Sequence, residues 1–344
     1  MADINRRWLL AKRPEGMVKD SDFKLVQEPV PEPGAGEFLV RQTHLSFDPT
    51  QRGWISMDTY LPAVKLGDVV RAGGVGQVVK SNHPGFKAGQ LVQGGFGWQD
   101  YMVTAGATEF MPVTPLFPGV TPELALGVFG ITGLTAWFGL TDVGKPKAGE
   151  TVVVSGAAGA TGSVVVQIAK ALGCKVIGIA GGSDKCAWVT GVAGADACID
   201  YKNEQVPARL KALAPKGIDV VFENVGGEIL EASMTNLALR ARIVLCGGIS
   251  GYNDAGPPTG IRTYMMLTVM RARMEGFIVL DYAPRYGEGV QALSKLMAEG
   301  KLKTVDDVQH GFENIPATLR RLFEGKNVGK QLLKIADPPL PVVA

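Results

Sequence analysis

The chain predicts an α/β fold: a doubly wound parallel sheet inserted into a β-rich domain. Three observations carry this. A β-branched run at Thr151 to Val154 stops at small residues and leads through spaced glycines into the apolar stretch SVVVQIAKALG at 163–173. After it, short apolar runs alternate with helical stretches as far as residue 280, the pattern of a parallel sheet covered by helices. Residues 1–125 have a different texture, with β-like runs punctuated by Gly and Pro.

In the first part, FLVRQTHLSF (38–47), VGQVVKS (75–81) and YMVT (101–104) predict strands. EPVPEPGAGE (28–37) and HPGFKAG (83–89) predict the turns between them. Such spacing suits a barrel-like module. From Pro122, PELALGVFGITGLTAWFGL is apolar at helical spacing, and KPKAGE leads into the strand at 151. The glycines Gly156, Gly159 and Gly162 then recur every third residue. In a strand-turn-helix setting they allow a sharp turn and a close backbone approach to a pyrophosphate, which the helix N-terminus attracts. This is the setting of a Rossmann dinucleotide site.

The alternation continues in order. CKVIGIAG (174–181) is a second strand, and SDKCAWVTGVAG a helix with Ser183 or Asp184 as N-cap. ACIDYKN (197–203) is a third strand and VPARLKALAP a helix. GIDVVFENVGG (217–227) gives a fourth strand and its exit loop, and EILEASMTNLAL a helix. ARIVLCGGIS (241–250) is a fifth strand and ARMEGFIVL (272–280) a sixth. RYGEGVQALSKLMAEGKLK (285–303) is a helix returning to the first domain, completed by GKNVGKQLLKI (325–335). The expected domains are therefore 126–301 for the dinucleotide, inserted between 1–125 and 302–344.

Composition narrows the function. A chain of 344 residues exceeds one ordinary core, and 46% hydrophobic residues suffice for two. A net charge of +2 without a Lys/Arg run points to no nucleic acid. No apolar segment reaches membrane-spanning length, and the N-terminus lacks a signal-peptide pattern, so a cytoplasmic protein is expected. Cys174, Cys186, Cys198 and Cys246 form no CxxC pair. No cysteine precedes Cys174, and His44, His83 and His310 lack the company a zinc site needs, so no metal is expected. GFIVL at 276–280 reads as an apolar strand at the sheet edge. Pairing such an edge across a two-fold axis would make a homodimer.

The second strand ends at Ala180-Gly181-Gly182 without the carboxylate that NAD-specific sites place near the ribose 2′-OH. Ser183 and Lys185 follow instead, a hydroxyl and an ammonium suited to a 2′-phosphate, hence to NADP(H). The alternative role for Lys185 is that of a solvated first-turn lysine. Tyr201, at the end of the third strand, either packs on the adenosine phosphate or covers an edge. Asn224, after strand four, faces the crevice in which open α/β sheets bind ligands. Beyond strand five, Gly247 opens a glycine-rich loop that carries Tyr252 towards the same crevice, as a phenol donor or as a packing aromatic.

Taken together and in this order, AAGATGSVVVQIAK, SDKC, DYKN, FENVGG, CGGISGYN, MEGF and GKNVGKQ resemble the medium-chain dehydrogenase/reductase superfamily. Within it the chain resembles the zinc-free branch of prostaglandin reductases, plant double-bond reductases and curcumin-reductase-like enzymes. LSFDPTQRG (45–53) and KLGDVVRAGGVGQVV (65–79) are similar to that branch's N-terminal signatures. The resemblance implies a GroES-like substrate domain and NADPH-dependent reduction of the C=C bond of α,β-unsaturated aldehydes or ketones. Hydride would reach the β-carbon, with an enolate developing at the carbonyl oxygen. It implies Ala158, Gly159, Ala160, Thr161 and Gly162 at the pyrophosphate, with Lys185 and Tyr201 at the 2′-phosphate. Asn224 would lie along the nicotinamide half, and Tyr252 and Asn327 near the nicotinamide, its ribose and the substrate. Relatives with a second Tyr six residues before the Glu or Gln of strand six differ from this chain, which has Val269 there, with Tyr264 out of register. Tyr252 is left as the catalytic candidate. Loops 48–62 and 252–270 are the expected substrate walls. The alternatives are a zinc-free quinone oxidoreductase and a non-catalytic NADPH-binding protein.

Overall fold

The computed structural model describes residues 4–254, 256 and 260–343. The chain divides into two compact units, Met1–Leu126 with Asp307–Asn327 and Gln331–Ala344, and Gly127–Asp306 with Val328–Lys330.

The first unit is built from antiparallel strands. β1 (Ile4–Leu10) and β2 (Phe23–Pro29) form a two-stranded sheet. β3 (Phe38–Ser46) is followed by the short helix α1 (Thr50–Trp54), then by β4 (Gly74–Ser81), β5 (Leu91–Gly94), β6 (Tyr101–Thr104) and β7 (Thr114–Pro115). The alternating runs seen in the sequence at 38–47, 75–81 and 101–104 become β3, β4 and β6. Helix α2 (Pro122–Leu126) closes this part. Its core is centred on Trp98, fully buried against Phe23 and Phe47 at ring distances of 4.9 and 6.0 Å.

The second unit opens with α3 (Ile131–Phe138), extended by a π-helical turn at Gly139–Gly144. Then β8 (Thr151–Ser155), α4 (Ala160–Ala171), β9 (Lys175–Ala180), α5 (Ser183–Gly191), β10 (Ala197–Asp200), α6 (Val206–Leu213), β11 (Ile218–Glu223) and α7 (Gly227–Met234) alternate. β12 (Leu237–Leu245), α8 (Met265–Met270), β13 (Arg273–Gly276) and α9 (Tyr286–Ala298) complete the set. The six strands are parallel, in the order β10-β9-β8-β11-β12-β13. This is the doubly wound Rossmann order, whose direction reverses between β8 and β11. The central strands carry Val152 to Val154, Ile177, Val220, Val221 and Phe222 at zero exposure, as a sheet covered on both faces demands. β14 (Asp306–His310), α10 (Ile315–Phe323) and β15 (Lys330–Lys334) follow, and β14-β15 extend the barrel sheet beside β3.

Several local expectations are corrected. The second unit runs to Asp306, and Gln167 on α4 holds Lys303 within it through its N–H (2.7 Å) and its carbonyl (3.0 Å). Helix α5 is capped by Gly182 with φ 104°, and neither Ser183 nor Asp184 serves as N-cap. The stretch 235–240 is not helical: β12 begins at Leu237. The sixth strand is RMEG, not GFIVL. Phe277 turns inward, where its ring would lie 2.4 Å from a Cβ at Gly139, and Val279 joins Leu134 and Phe138 in an apolar cluster. The edge strand instead exposes Arg273 and Glu275, paired at 3.6 Å, which blunts an edge rather than inviting pairing.

Candidate active site

The glycine turn sits at the C-terminal end of β8, at the point where strand order reverses. Gly159 donates its N–H to the Gly156 carbonyl at 2.9 Å, which closes the turn and starts α4. A Cβ on Gly162 would lie 2.3 Å from the Gly156 oxygen, so only glycine lets the first turn of α4 come this close to the loop. The first-turn N–H groups of Ala160, Thr161 and Gly162 have no partner within the helix and suit a pyrophosphate. Ala158 is buried, and its carbonyl accepts the N–H of Gly329 at 2.7 Å, which straps 328–330 across the turn. Asn327 immediately precedes that strap.

The second group lies at the ends of β9 and β10. Gly181 leaves room for the ring of Tyr201, which would lie 2.7 Å from a Cβ there. Tyr201 is 45% exposed, so its other face is open beside the start of α5. Ser183 and Lys185 project from the first turn of that helix, with Ser183 Oγ 3.5 Å from Asp184 Oδ1. Sequence reasoning missed Asp200. Its carboxylate accepts the Gly182 N–H at 2.7 Å, the Asn203 amide at 2.7 Å and the Lys202 N–H at 3.1 Å. The Gly182 N–H, first among these donors, holds its carboxyl below the usual range. The carboxylate is thus committed to the loop instead of facing a ribose.

The third group surrounds the strand-order reversal. Asn224 Nδ2 donates to the Ser155 carbonyl at 2.7 Å, and its N–H donates to Ser155 Oγ at 2.8 Å, joining the ends of β8 and β11. Ser155 Oγ in turn donates to Glu223 Oε1 at 2.8 Å. Both Ser155 and Glu223 are fully buried, and neither was singled out from the sequence. Each stands beside a residue that was, Gly156 and Asn224, so a polar residue adjoining the turn was the available signal. The Glu223 carbonyl accepts the N–H groups of Cys246 (2.9 Å) and Gly247 (3.1 Å), which ties in the exit loop of β12. Burial, then the Glu223 charge, pushes the Cys246 thiol up to about 12. Tyr252 folds back over this loop: its hydroxyl oxygen accepts the Gly248 N–H at 3.2 Å, leaving its hydrogen for another acceptor. Burial raises the Tyr252 pKa, so the phenol stays protonated. Of the 252–270 segment, residues 255 and 257–259 lie outside the described residues, while Tyr264 and Val269 are exposed on and beside α8.

In the first unit, the 48–62 segment is held from several sides. Arg52 donates to the Pro14 (3.1 Å) and Gly16 (3.0 Å) carbonyls, Arg13 to Ile55 (2.9 Å) and Val64 (2.5 Å), and Arg71 to Pro62 (3.0 Å). These contacts fix an aromatic group in which Trp54 meets Phe110 at 5.4 Å and Tyr60 at 6.3 Å. Among the described residues, no three His, Cys, Asp or Glu side chains gather as a metal ion would require. No helix there is long and apolar enough to cross a membrane.

A glycine turn at a strand-order reversal, leading into the uncapped first turn of a helix, with a phenol on the β12 loop, defines a dinucleotide-dependent oxidoreductase. Residues 6–113 match the family described as N-terminal domain of oxidoreductase, and 160–297 the one described as zinc-binding dehydrogenase. The chain is 40% identical to the NADPH-dependent curcumin reductase of Escherichia coli over 338 residues, 96% of this chain and 97% of that protein. It is 37% identical to the NADP(+)-dependent 2-alkenal reductase of Nicotiana tabacum, covering 96% of this chain and 98% of that one. The crystal structure of CurA from Vibrio vulnificus in complex with NADPH superposes with a TM-score of 0.92 at 41% identity, covering 97% of this chain and all of that one. The chain belongs to the zinc-free branch of the medium-chain dehydrogenase/reductase family that contains the curcumin, alkenal and prostaglandin reductases. It is an NADP-dependent oxidoreductase, and its cofactor is NADP(H).

Proposed function

We propose that this enzyme reduces the C=C bond of α,β-unsaturated aldehydes and ketones. The observation that carries this is Tyr252, a protonated phenol whose hydrogen has no acceptor among the described residues, folded over Gly247–Gly248 at the end of the sheet assigned to the nicotinamide half. The bound cofactor supplies a hydride to the β-carbon. The chain must then stabilise negative charge on the carbonyl oxygen, for which Tyr252 is the donor. Asn224, locked to Ser155, presents a fixed surface to the nicotinamide half, and Gly247 keeps that approach open. Ala158 to Gly162 hold the pyrophosphate. Gly182, Ser183, Lys185 and Tyr201 hold the 2′-phosphate, and Asn327 keeps its assignment to the cofactor from the family resemblance.

Turnover of NADPH with 2-nonenal and with a benzoquinone tests the assignment. We expect a higher kcat/KM for the enal; a quinone preference would make the enzyme a quinone reductase, and no turnover with either would leave a non-catalytic NADPH-binding protein. Tyr252→Phe keeps the ring and removes the donor. Removing one oxyanion donor costs about 10²–10³ in kcat where no substitute exists. Here we expect about tenfold, because a cofactor ribose hydroxyl can donate to the same oxygen. Unchanged kcat in Tyr252→Phe with a large loss in Tyr252→Ala would assign the ring to packing.

A further inference from the structure

Glu223 is the last residue of β11 and has no exposed surface. Its Oε1 accepts three hydrogen bonds, from Ser155 Oγ (2.8 Å), the Val225 N–H (2.7 Å) and the Gly226 N–H (2.7 Å). Its Oε2 is buried with no hydrogen-bond partner among the described residues. No Lys, Arg or His among the described residues pairs with it. Burial pushes its pKa up, and the three donors oppose that shift. A carboxyl that accepts three hydrogen bonds on one oxygen is favoured in its ionised form, and that geometry is the ground for treating Glu223 as an anion without a cationic partner among the described residues. It lies directly beneath the loops that bear Asn224 and Gly247, with its own carbonyl bonded to the latter.

We propose that Glu223 sets the relative affinity of this enzyme for oxidised and reduced cofactor, its buried carboxylate favouring the nicotinamide ring that carries positive charge. This rests on the placement of the nicotinamide half beside Asn224 proposed above. The two cofactor forms share the adenosine, phosphates and riboses and differ in the ring, which is cationic in NADP⁺ and neutral in NADPH. A negative charge in a low-dielectric interior acts on the first and barely on the second. Glu223 is in these terms a positioning residue for charge: it touches the loops assigned above to the nicotinamide half.

The test is equilibrium titration of NADP⁺ and NADPH into the protein and two variants. Glu223→Gln keeps the size and an acceptor oxygen but removes the charge. It should weaken NADP⁺ about tenfold and NADPH less than about twofold, a modest effect for a buried charge. Glu223→Asp retains the charge and should keep the wild-type ratio of the two dissociation constants, even if both rise. Equal losses of both cofactors in Glu223→Gln, or the same change of ratio in Glu223→Asp, would overturn the proposal and leave Glu223 a fold-holding residue. A measurement on the unaltered protein covers the case in which the Gln variant does not fold. NADP⁺ should bind at least about tenfold tighter than 2′-phospho-ADP-ribose, which lacks the ring; equal affinities would also overturn it. Failure of 2′-phospho-ADP-ribose to compete with NADPH would sink the cofactor placement itself, a separate outcome from a lost preference with competition intact.

Discussion

Lys185 stands on the first turn of α5, and the Tyr201 ring packs over Gly181, two residues before that helix. An ammonium there discriminates between cofactors only through the 2′-phosphate. Lys185→Ala should therefore weaken NADPH by about 1.5–3 kcal/mol, the worth of a hydrogen bond to a charged group, and leave NADH nearly unchanged. Equal losses in titrations of both cofactors would make Lys185 a solvated helix residue. His44 carries a different consequence. It is buried on β3, its Nδ1 is 3.0 Å from Thr43 Oγ1 and its Nε2 is 3.7 Å from Glu123. Burial lowers its pKa from 6.5 to about 4, with Glu123 opposing part of that shift. Because the folded state prefers the neutral ring, the stability it confers is complete above pH 6.5 and is lost as pH falls towards 4. That gap corresponds to on the order of 3 kcal/mol. His44→Gln should flatten the decline in urea-unfolding free energy between those pH values; an unchanged slope would place the acid sensitivity elsewhere.

At the scale of elements, the turn from β8 into α4 is the most constrained. Gly162→Ala would drive a Cβ into the Gly156 carbonyl, a backbone atom that cannot rotate aside. We expect a loss of about 1–3 kcal/mol in stability, typical of overpacking, and a larger loss of NADPH affinity. Normal NADPH binding in this variant would show that the turn relaxes freely. This element was legible because its glycines, its β-branched strand and its apolar helix all report the same local geometry. The sixth strand was misread because GFIVL satisfies a strand and a buried turn equally: apolarity marks what is covered, not by what. Phe277 packs against Gly139 and Val279 against α3, partners more than a hundred residues earlier that no local pattern encodes. Ser155, Asp200 and Glu223 escaped notice for a related reason. Each acts through backbone groups of neighbouring loops, and a residue's register against another strand's exit appears only once the sheet is assembled.

For the whole molecule, we propose a homodimer, now on different ground from the apolar edge strand. The surface next to β13 carries Tyr264, Met265 and Val269 at 59, 53 and 55% exposure, on and beside α8. Light scattering at micromolar concentration should give twice the chain mass, and Val269→Glu should lower it; a monomeric mass in the unaltered protein would reject the dimer. Another whole-molecule feature is the strap from Gly329 to Ala158. It joins residues about 170 positions apart, and contacts of such long separation are the slow ones to form. A chain growing from its N-terminus therefore leaves the glycine turn without this strap until that late segment exists. During synthesis or refolding, affinity for nucleotide should be among the last properties acquired, so the cofactor would rescue a nearly finished chain and not a nascent fragment.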